Sequence, residues 1–367
     1  MNVPFNSLKI QLAPCENDLR AAFERVLERG WFLMGPEVEA FEAEFAAWLG
    51  RGACVAMNSG TDALVLALRA LGCAGGEVVL PAHTALPCYH AVLAAGCTPV
   101  FAEVREDTYT LDPASAARMI GPRTRAVMAV HLYGQPCDLD ELGALCAGHG
   151  LPLIEDCAQS HGATYKGRRA GTFGALAAFS FYPTKNLGAL GDGGAVCCDS
   201  GDAETALRLE RQYGESSRYH SAVPGVNSRL DEMQAAFLRL RLGRLEADNA
   251  ARRALAGQYD ALLAGTPLIL PATAPDRDHV YHLYVVRAPR REALMEHLRS
   301  RGIGTAVHYP VPGHRQPLFA QGRAPMRADD LALSERLGAE VLSLPLYPGL
   351  EPGQVEEVCA AIRAFYA

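Results

Sequence analysis

The sequence predicts an α/β protein in which helices cover both faces of a mostly parallel β-sheet, with a smaller α/β domain after it. Short apolar runs typical of strands alternate with helical patterns between residues 54 and 156. These runs are apolar at nearly every position, as in parallel strands buried on both faces. A separate strand and helix pattern follows residue 280. We therefore predict a three-layer α/β/α domain over 1–248, including an N-terminal segment 1–15, and a small domain over 249–367.

Composition narrows the class of protein. The 367 residues are 49% hydrophobic and 20% charged, as in ordinary globular enzymes. The net charge of -7 is well mixed along the chain, so neither nucleic acid nor a membrane surface is an expected partner. No leader or membrane-spanning run is visible. The 11 cysteines form no CxxC pair, so we expect buried thiols in the cytoplasm and no metal site.

The first 50 residues predict packing elements. Residues up to Cys15 show no periodicity and are expected to run over the surface or onto a partner. Apolar spacing predicts a helix from Glu16 to Glu28, ended by Gly30. A second helix should begin at Pro36, because proline suits a first helical turn, and run up to Gly50. We assign no chemistry to these helices.

A short strand at 54–57 leads into an apolar helix at 63–71. The junction carries Ser59, Gly60 and Thr61. Backbone N–H groups and the positive end of the helix meet there, which suits a phosphate. Alternatively, Ser59 or Thr61 only caps the helix. The sequence leaves both interpretations open.

The carboxyl ends of parallel strands are where such sheets bind ligands. The alternation predicts strands at 78–81, 99–104, 126–131 and 151–156, with helices at 89–95, 113–119 and 138–149. Side chains that follow strand-like runs include Ser59, His131, Asp156 and Lys185. Asp156 is either a helix cap or a buried anion that needs a cationic partner. Lys185 is either a lysine leaving the core or an enclosed amine that forms an imine with a carbonyl compound.

The second half continues the α/β pattern. After a strand at 194–198 and a helix at 203–213, the loop 214–228 is long enough to suggest a binding or interface role. One long helix, from about Leu230 past Leu245, should carry the domain boundary near Asp248. The small domain then has a strand at 281–287, a helix at 291–301 and a terminal helix at 352–366.

Together these features are a phosphate site, an acid and a lysine at the end of one sheet. Pyridoxal phosphate requires all three: an anion site for its phosphate, a carboxylate for its ring nitrogen and a lysine for its aldehyde. The chain also resembles the DegT/DnrJ/EryC1/StrS family of sugar aminotransferases, which have the aspartate aminotransferase fold (fold type I). The resemblance covers nearly the whole chain. Its most specific segments are 59–64, 155–162, the Lys185 segment and 227–232.

The resemblance implies roles for individual residues. Lys185 would hold the cofactor as an imine and move the substrate proton, and Asp156 would pair with the ring nitrogen. Gln159 would lie near the ring and its phenolic oxygen. The phosphate would be held by Gly60, Thr61 and Ser180, and by Asn227 of a second subunit. A homodimer with shared active sites is therefore the expected working unit.

Other positions carry weaker expectations or depart from the family pattern. Arg229 is expected to contact either the carboxylate of the amino donor or an interface carboxylate, and His308 or Tyr309 to face the sugar substrate. Ala85 stands where many relatives have an aromatic residue over the ring. Either another group covers the ring, for which we suggest His83, or the ring face is more open.

The resemblance implies a two-stage transamination. L-Glutamate would donate an amino group, and a keto sugar linked to dTDP, UDP or GDP would accept it. Two segments of the chain resemble those of family members that aminate C-3, so C-3 is the expected position. Amination at C-4 is the alternative within the family. Relatives with histidine at the position of Lys185 are dehydratases, so Lys185 argues against a dehydratase or lyase. A non-enzymatic regulator that keeps the cofactor fold is the remaining alternative.

Overall fold

The structure is a computed structural model that describes residues 2–367; Met1, the first residue of the proposed large domain, lies outside it. The helices are α1 (Leu8–Leu12), α2 (Glu16–Arg29), α3 (Pro36–Leu49), α4 (Gly60–Ala70), α5 (Leu86–Ala94), α6 (Pro113–Met119), α7 (Leu139–His149), α8 (Asp202–Glu210), α9 (Glu232–Leu242), α10 (Leu245–Leu263), α11 (Arg291–Ser300), α12 (Pro317–Ala320), α13 (Ala332–Glu340) and α14 (Pro352–Tyr366). The strands are β1 (Ala53–Met57), β2 (Glu77–Pro81), β3 (Thr98–Ala102), β4 (Thr124–Val130), β5 (Leu153–Asp156), β6 (Thr164–Tyr165), β7 (Arg168–Arg169), β8 (Leu176–Ser180), β9 (Gly194–Cys198), β10 (Glu215–Ser217), β11 (His220–Ser221), β12 (Tyr284–Arg287), β13 (Arg327–Ala328) and β14 (Val341–Leu344).

The central sheet has eight strands in the order β1-β9-β8-β5-β4-β2-β3-β13. β9 runs antiparallel to both of its neighbours, and the other pairs are parallel. Alternate residues of β1 face opposite sides of the sheet: Val55 packs in the core that contains α4, and Cys54 in the core that contains α3. Helices therefore cover both faces, and the predicted three-layer fold with a mostly parallel sheet is confirmed.

A second hydrophobic core lies in the carboxyl-terminal part of the chain. It is built around Tyr259, Tyr284 and Leu342, and the β12–β14 pair supplies its strands. Val3 is fully buried in this core, and its backbone is hydrogen-bonded to Gly302 and Gly304. The prediction that residues up to Cys15 run only over the surface or onto a partner is therefore wrong at Val3.

The predicted long helix after residue 230 is two helices, α9 and α10. The break falls at Gly243 and Arg244, because glycine in a helix interior loses the most backbone entropy on folding. The proposed domain boundary near Asp248 lies in the first turn of α10, and we keep it as a proposal. The predicted strand at 281–287 is also shorter, since β12 begins at Tyr284. Among residues 2–367, no helix is both long and apolar enough to cross a bilayer.

Glu232 fixes the start of α3 from a distant part of the sequence. Its fully buried carboxylate accepts hydrogen bonds from the backbone N–H groups of Gly35, Glu37 and Val38, each at 2.9 Å. Negative charge at a helix N-terminus is favourable, and it satisfies donors that have no intrahelical partner. Glu232, within the segment 227–232 that carries the family resemblance, is therefore a structural cap.

Replacing Glu232 with alanine should lower the free energy of unfolding by about 2–4 kcal/mol, because three buried N–H groups lose their acceptor. Urea denaturation followed by circular dichroism would measure this change. Glu246→Ala, which removes a half-exposed ion pair with Arg169, is the control and should stay within about 0.5 kcal/mol of the wild type. Equal effects of the two substitutions would contradict the capping role.

Candidate active site

The predicted phosphate site forms where β1 meets α4. Ser59 caps the helix by accepting a hydrogen bond from Asp62 N at 3.1 Å. The first intrahelical bond runs from Ala63 N to Ser59 O, so the N–H groups of Gly60 and Thr61 precede it. Ser59, Gly60 and Thr61 all line one cavity. Capping and a phosphate site, the two alternatives from the sequence, are thus compatible.

Close packing brings the hydroxyl of Ser180 to the same point. A Cβ atom on Gly60 would lie 2.5 Å from the Cβ of Ser180, at the carboxyl end of β8. Similarly, a Cβ atom on Gly194 would lie 2.3 Å from Ser59 O. Only glycine allows these approaches, so two glycines join the helix N-terminus to the ends of β8 and β9.

Asp156 and Lys185 line this cavity of about 280 Å³. Asp156 ends β5 and is buried; its Oδ1 accepts a hydrogen bond from Ala158 N at 3.0 Å. Lys185 follows β8 in a tight turn in which its N–H donates to Tyr182 O at 2.8 Å. Desolvation lowers the pKa of Lys185 to about 8, against the opposing effect of the Asp156 carboxylate.

The lowered pKa of Lys185 gives a testable pH dependence. Only the neutral amine attacks an aldehyde, so covalent capture of pyridoxal phosphate by cofactor-free protein should speed up with pH and level off above about 8. Because Asp156 raises the pKa of Lys185, Asp156→Ala should move this midpoint to lower pH. Stopped-flow absorbance would follow the reaction, and a rate still rising towards the ordinary lysine value of 10.5 would contradict the expectation.

Gln159 connects the cavity to the small domain. Its Oε1 accepts a hydrogen bond from Tyr133 N at 2.6 Å, and its Nε2 donates to the hydroxyl of Tyr309 at 3.2 Å. The hydroxyl of Tyr133 donates to the carbonyl of His308. Gln159 and Tyr309 line the cavity, whereas the His308 side chain does not and lies 2.8 Å from Ser343 Oγ through Nδ1. The loop at 308–309 is therefore held against the cavity by Tyr133 and Gln159.

His83 does not cover the cavity. It is fully buried and does not line it, and its Nε2 lies 2.8 Å from the hydroxyl of Tyr133. The suggestion that His83 replaces the missing aromatic residue is therefore wrong. Ala85 itself lines the cavity, and so does Tyr309.

Asn227 and Arg229 lie outside this cavity. Asn227 is exposed, and its backbone forms a β-bridge with Gln212. The Arg229 guanidinium lies 5.9 Å from the centre of the Tyr213 ring, and its buried Nε has no hydrogen-bond partner within residues 2–367. Neither side chain therefore lines the cavity of its own subunit, and the expected roles of both residues stay predictions.

His131, Glu155 and Cys157 form a buried cluster at the carboxyl ends of β4 and β5. His131 lies 3.0 Å from Glu155 through Nε2 and accepts a hydrogen bond from Cys137 N at Nδ1. Glu155 also accepts bonds from the N–H groups of Gly171, Phe173 and Gly174. Because Nδ1 accepts from a backbone N–H, Nε2 carries the ring proton and donates to Glu155, so both imidazole nitrogens of His131 serve contacts within the fold.

Sequence reasoning missed two residues of the site. Tyr133 anchors the loop at 308–309, and Cys88 lines the cavity in the first turn of α5. Cys88 follows the carboxyl end of β2, so the strand-end rule could have indicated it. Nothing in the sequence pattern distinguishes Tyr133 from a core tyrosine.

The residues present fit pyridoxal phosphate. The cavity combines a helix N-terminus with the side chains of Thr61 and Ser180, a buried carboxylate and a lysine of lowered pKa. Gly60, Thr61 and Ser180 would hold the phosphate, Asp156 the ring nitrogen and Lys185 the aldehyde carbon. These assignments of individual residues remain proposals.

Comparison with known proteins agrees with this chemistry. The model of the DegT/DnrJ/EryC1/StrS aminotransferase family matches residues 15–363. The chain is 51% identical over 365 residues to the dTDP-3-amino-3,4,6-trideoxy-alpha-D-glucose transaminase of Streptomyces venezuelae, over 98% of this chain and 95% of that protein. It is 45% identical to the erythromycin biosynthesis sensory transduction protein EryC1 of Saccharopolyspora erythraea, over 99% of this chain and 100% of that protein.

The fold agrees as well. The crystal structure of S. venezuelae DesV in complex with a ketimine intermediate superposes with a TM-score of 0.96 at 49% sequence identity, over 100% of this chain and 98% of that one. The match covers both the large sheet and the small domain, so the likeness is to the whole enzyme. The chain therefore belongs to the DegT/DnrJ/EryC1/StrS aminotransferase family, which works with pyridoxal phosphate.

Proposed function

We propose that this protein transfers the amino group of L-glutamate to C-3 of a keto-deoxysugar linked to a nucleoside diphosphate. The observation that carries the proposal is Lys185, with its lowered pKa, in one cavity with Asp156. The sugar class rests on the relative from S. venezuelae, whose name specifies a dTDP-linked 3-amino sugar. The name of EryC1, a sensory transduction protein, favours the alternative of a regulator, but a regulator has no need of a lysine competent as a base.

Four residues that line the cavity have a part in the proposed reaction: Lys185, Asp156, Gln159 and Tyr309. Bound pyridoxal phosphate supplies an electron sink for the bond broken at the amino-bearing carbon. Lys185 would pass the proton from that carbon of the donor to the cofactor carbon, and in the second stage would pass a proton from the cofactor carbon to C-3 of the sugar. Its lowered pKa suits this role near neutral pH. Asp156 keeps a negative charge beside the ring nitrogen. Gln159 orients Tyr309, which narrows the cavity from the side of the small domain.

The test uses purified protein with pyridoxal phosphate, L-glutamate and a dTDP-linked 3-keto-6-deoxyhexose. The amino sugar should be found by mass spectrometry, and glutamate alone should bleach the visible band of the bound cofactor. A parallel reaction with the 4-keto sugar separates C-3 from C-4 amination. A protein that binds the cofactor but never responds to glutamate would be a regulator.

A homodimer is part of the proposal, because an exposed apolar surface contacts the segment that follows Asn227. Large apolar side chains on α2, in the turn after it and in the loop after Lys185 are 40–55% exposed: Phe23, Leu27, Trp31, Phe32, Leu33 and Leu190. Leu33 forms a β-bridge with Asp231, four residues from Asn227. Such an exposed apolar patch indicates a protein interface. A second copy bound there would explain an asparagine that its own cavity does not use.

Phe23→Asp combined with Leu27→Asp should therefore produce monomers, because two charges would be buried at the interface. Light scattering after size-exclusion chromatography would give the mass. Ile269→Asp, which changes an exposed apolar residue outside this surface, is the control and should remain dimeric. A double variant with unchanged mass would show that the subunits associate elsewhere or not at all.

A further inference from the structure

Cys88 is a thiol in the active-site cavity to which the proposed reaction gives no role. It is the third residue of α5, is 1% exposed and lines the same cavity as Asp156 and Lys185. Its position is set by the turn that enters α5, where Cys88 N donates to Ala85 O at 3.2 Å. A thiol held this way on a helix cannot move far from the carboxylate beside it.

The donor and acceptor of each hydrogen bond at the Cys88 thiol can be assigned. Its Sγ lies 3.1 Å from Asp156 Oδ2, and because an ionised carboxylate only accepts, the thiol is the donor. Thr84 Oγ1 lies 3.1 Å from the same sulfur, and with the thiol proton engaged, the Thr84 hydroxyl donates to it. Burial and the charge of Asp156 both raise the pKa of Cys88, so the thiol keeps its proton.

Both oxygens of Asp156 are therefore fixed by named donors. Ala158 N holds Oδ1 and Cys88 holds Oδ2. A thiol is a weak donor, so it can orient a carboxylate while leaving most of the negative charge for a stronger cationic partner. The other ionisable groups coupled to this pair are Lys185, Tyr309, Cys157 and Tyr89.

We propose that Cys88, supported by Thr84, is a positioning residue that sets the orientation and charge of the Asp156 carboxylate for the ring nitrogen of the cofactor. This inference rests on the proposed function. Cys88 touches neither substrate nor reacting atoms in this scheme, and it acts only through Asp156.

The test compares Cys88→Ala with Cys88→Ser, which keeps a donor at the same place. Loss of the donor should weaken pyridoxal phosphate binding about 5- to 10-fold, as expected for one hydrogen bond from a weak donor. It should also raise the pH midpoint of the visible absorption of the bound cofactor, because the carboxylate then carries more negative charge and favours the cationic form. Cys88→Ser should restore both values towards those of the wild type.

Cys146→Ala removes a buried thiol from α7, outside the cavity, and is the matched control. It should change neither cofactor affinity nor the pH midpoint. If Cys88→Ala also changes neither, or if Cys88→Ser is as impaired as Cys88→Ala in both, the inference is overturned. A wild-type protein that binds no pyridoxal phosphate would instead overturn the proposed function, so the two failures are distinguishable.

Discussion

Replacing Lys185 with alanine should lower transamination by at least about 10³-fold and abolish covalent capture of the cofactor. The substitution removes both the amine that holds the cofactor and the base that moves the substrate proton, and general acid–base catalysis alone contributes roughly 10²–10⁴-fold. Steady-state assays of the amino sugar product would measure the loss. Pyridoxal phosphate can still bind through its phosphate and ring, so the variant should retain a weak, dissociable cofactor.

Because the chain has few lysines, the site of covalent attachment can be assigned to one of them. The chain has three lysines, Lys9, Lys166 and Lys185. Lys166 lies on the surface and pairs with Asp140 at 2.5 Å, so Lys166→Ala is the matched control and should keep full activity. Borohydride reduction followed by peptide mass mapping should place the cofactor on Lys185 alone. Cofactor trapped on Lys166 or Lys9 would contradict the assignment.

Replacing Asp156 with asparagine should reduce turnover by on the order of 10²–10³-fold while the cofactor still binds covalently. Asparagine keeps the shape of the side chain but removes the charge that stabilises a protonated ring nitrogen, and the loss of one electrostatic contact to developing charge typically has this size. Single-turnover measurements with glutamate, followed by the absorbance of the cofactor, would isolate the step.

Asp140 provides the matched control for Asp156. It bears the same charge but lies on the surface, where it pairs with Lys166. Asp140→Asn should leave the cofactor spectrum and the rate with glutamate close to those of the wild type. If Asp156→Asn reacts with glutamate as fast as the wild type, Asp156 is not the partner of the ring nitrogen.

Predictions that depend on neighbouring residues agree best with the structure. The Ser59–Thr61 junction was predictable because a strand, a small-residue turn and an apolar helix follow one another directly in the chain. The helix from Pro36 was predictable for the same reason, since proline marks its first turn and Gly50 its left-handed end. The alternating strands and helices indicated the sheet, because the period of each pattern is set locally.

Predictions that depend on residues far apart in the chain were wrong or could not be made. His83 lies two residues before Ala85, the position expected at the ring face, yet its side chain is hydrogen-bonded to Tyr133, 50 residues later. The acceptor that caps α3 is Glu232, 195 residues from Glu37. The contact between Cys88 and Asp156 spans 68 residues. No local pattern records such pairs.

Patterns along the chain thus identified the family and the cofactor and predicted the lysine that would hold it, because short contiguous segments of the sequence carry these features. Tertiary packing determined the remaining features of the site. It set the desolvation that lowers the pKa of Lys185, the approach of Gly60 to Ser180 and the thiol that orients Asp156. The burial of a side chain and its distance to residues far along the chain depend on how the whole chain folds. These two quantities decide the reactivity of the site.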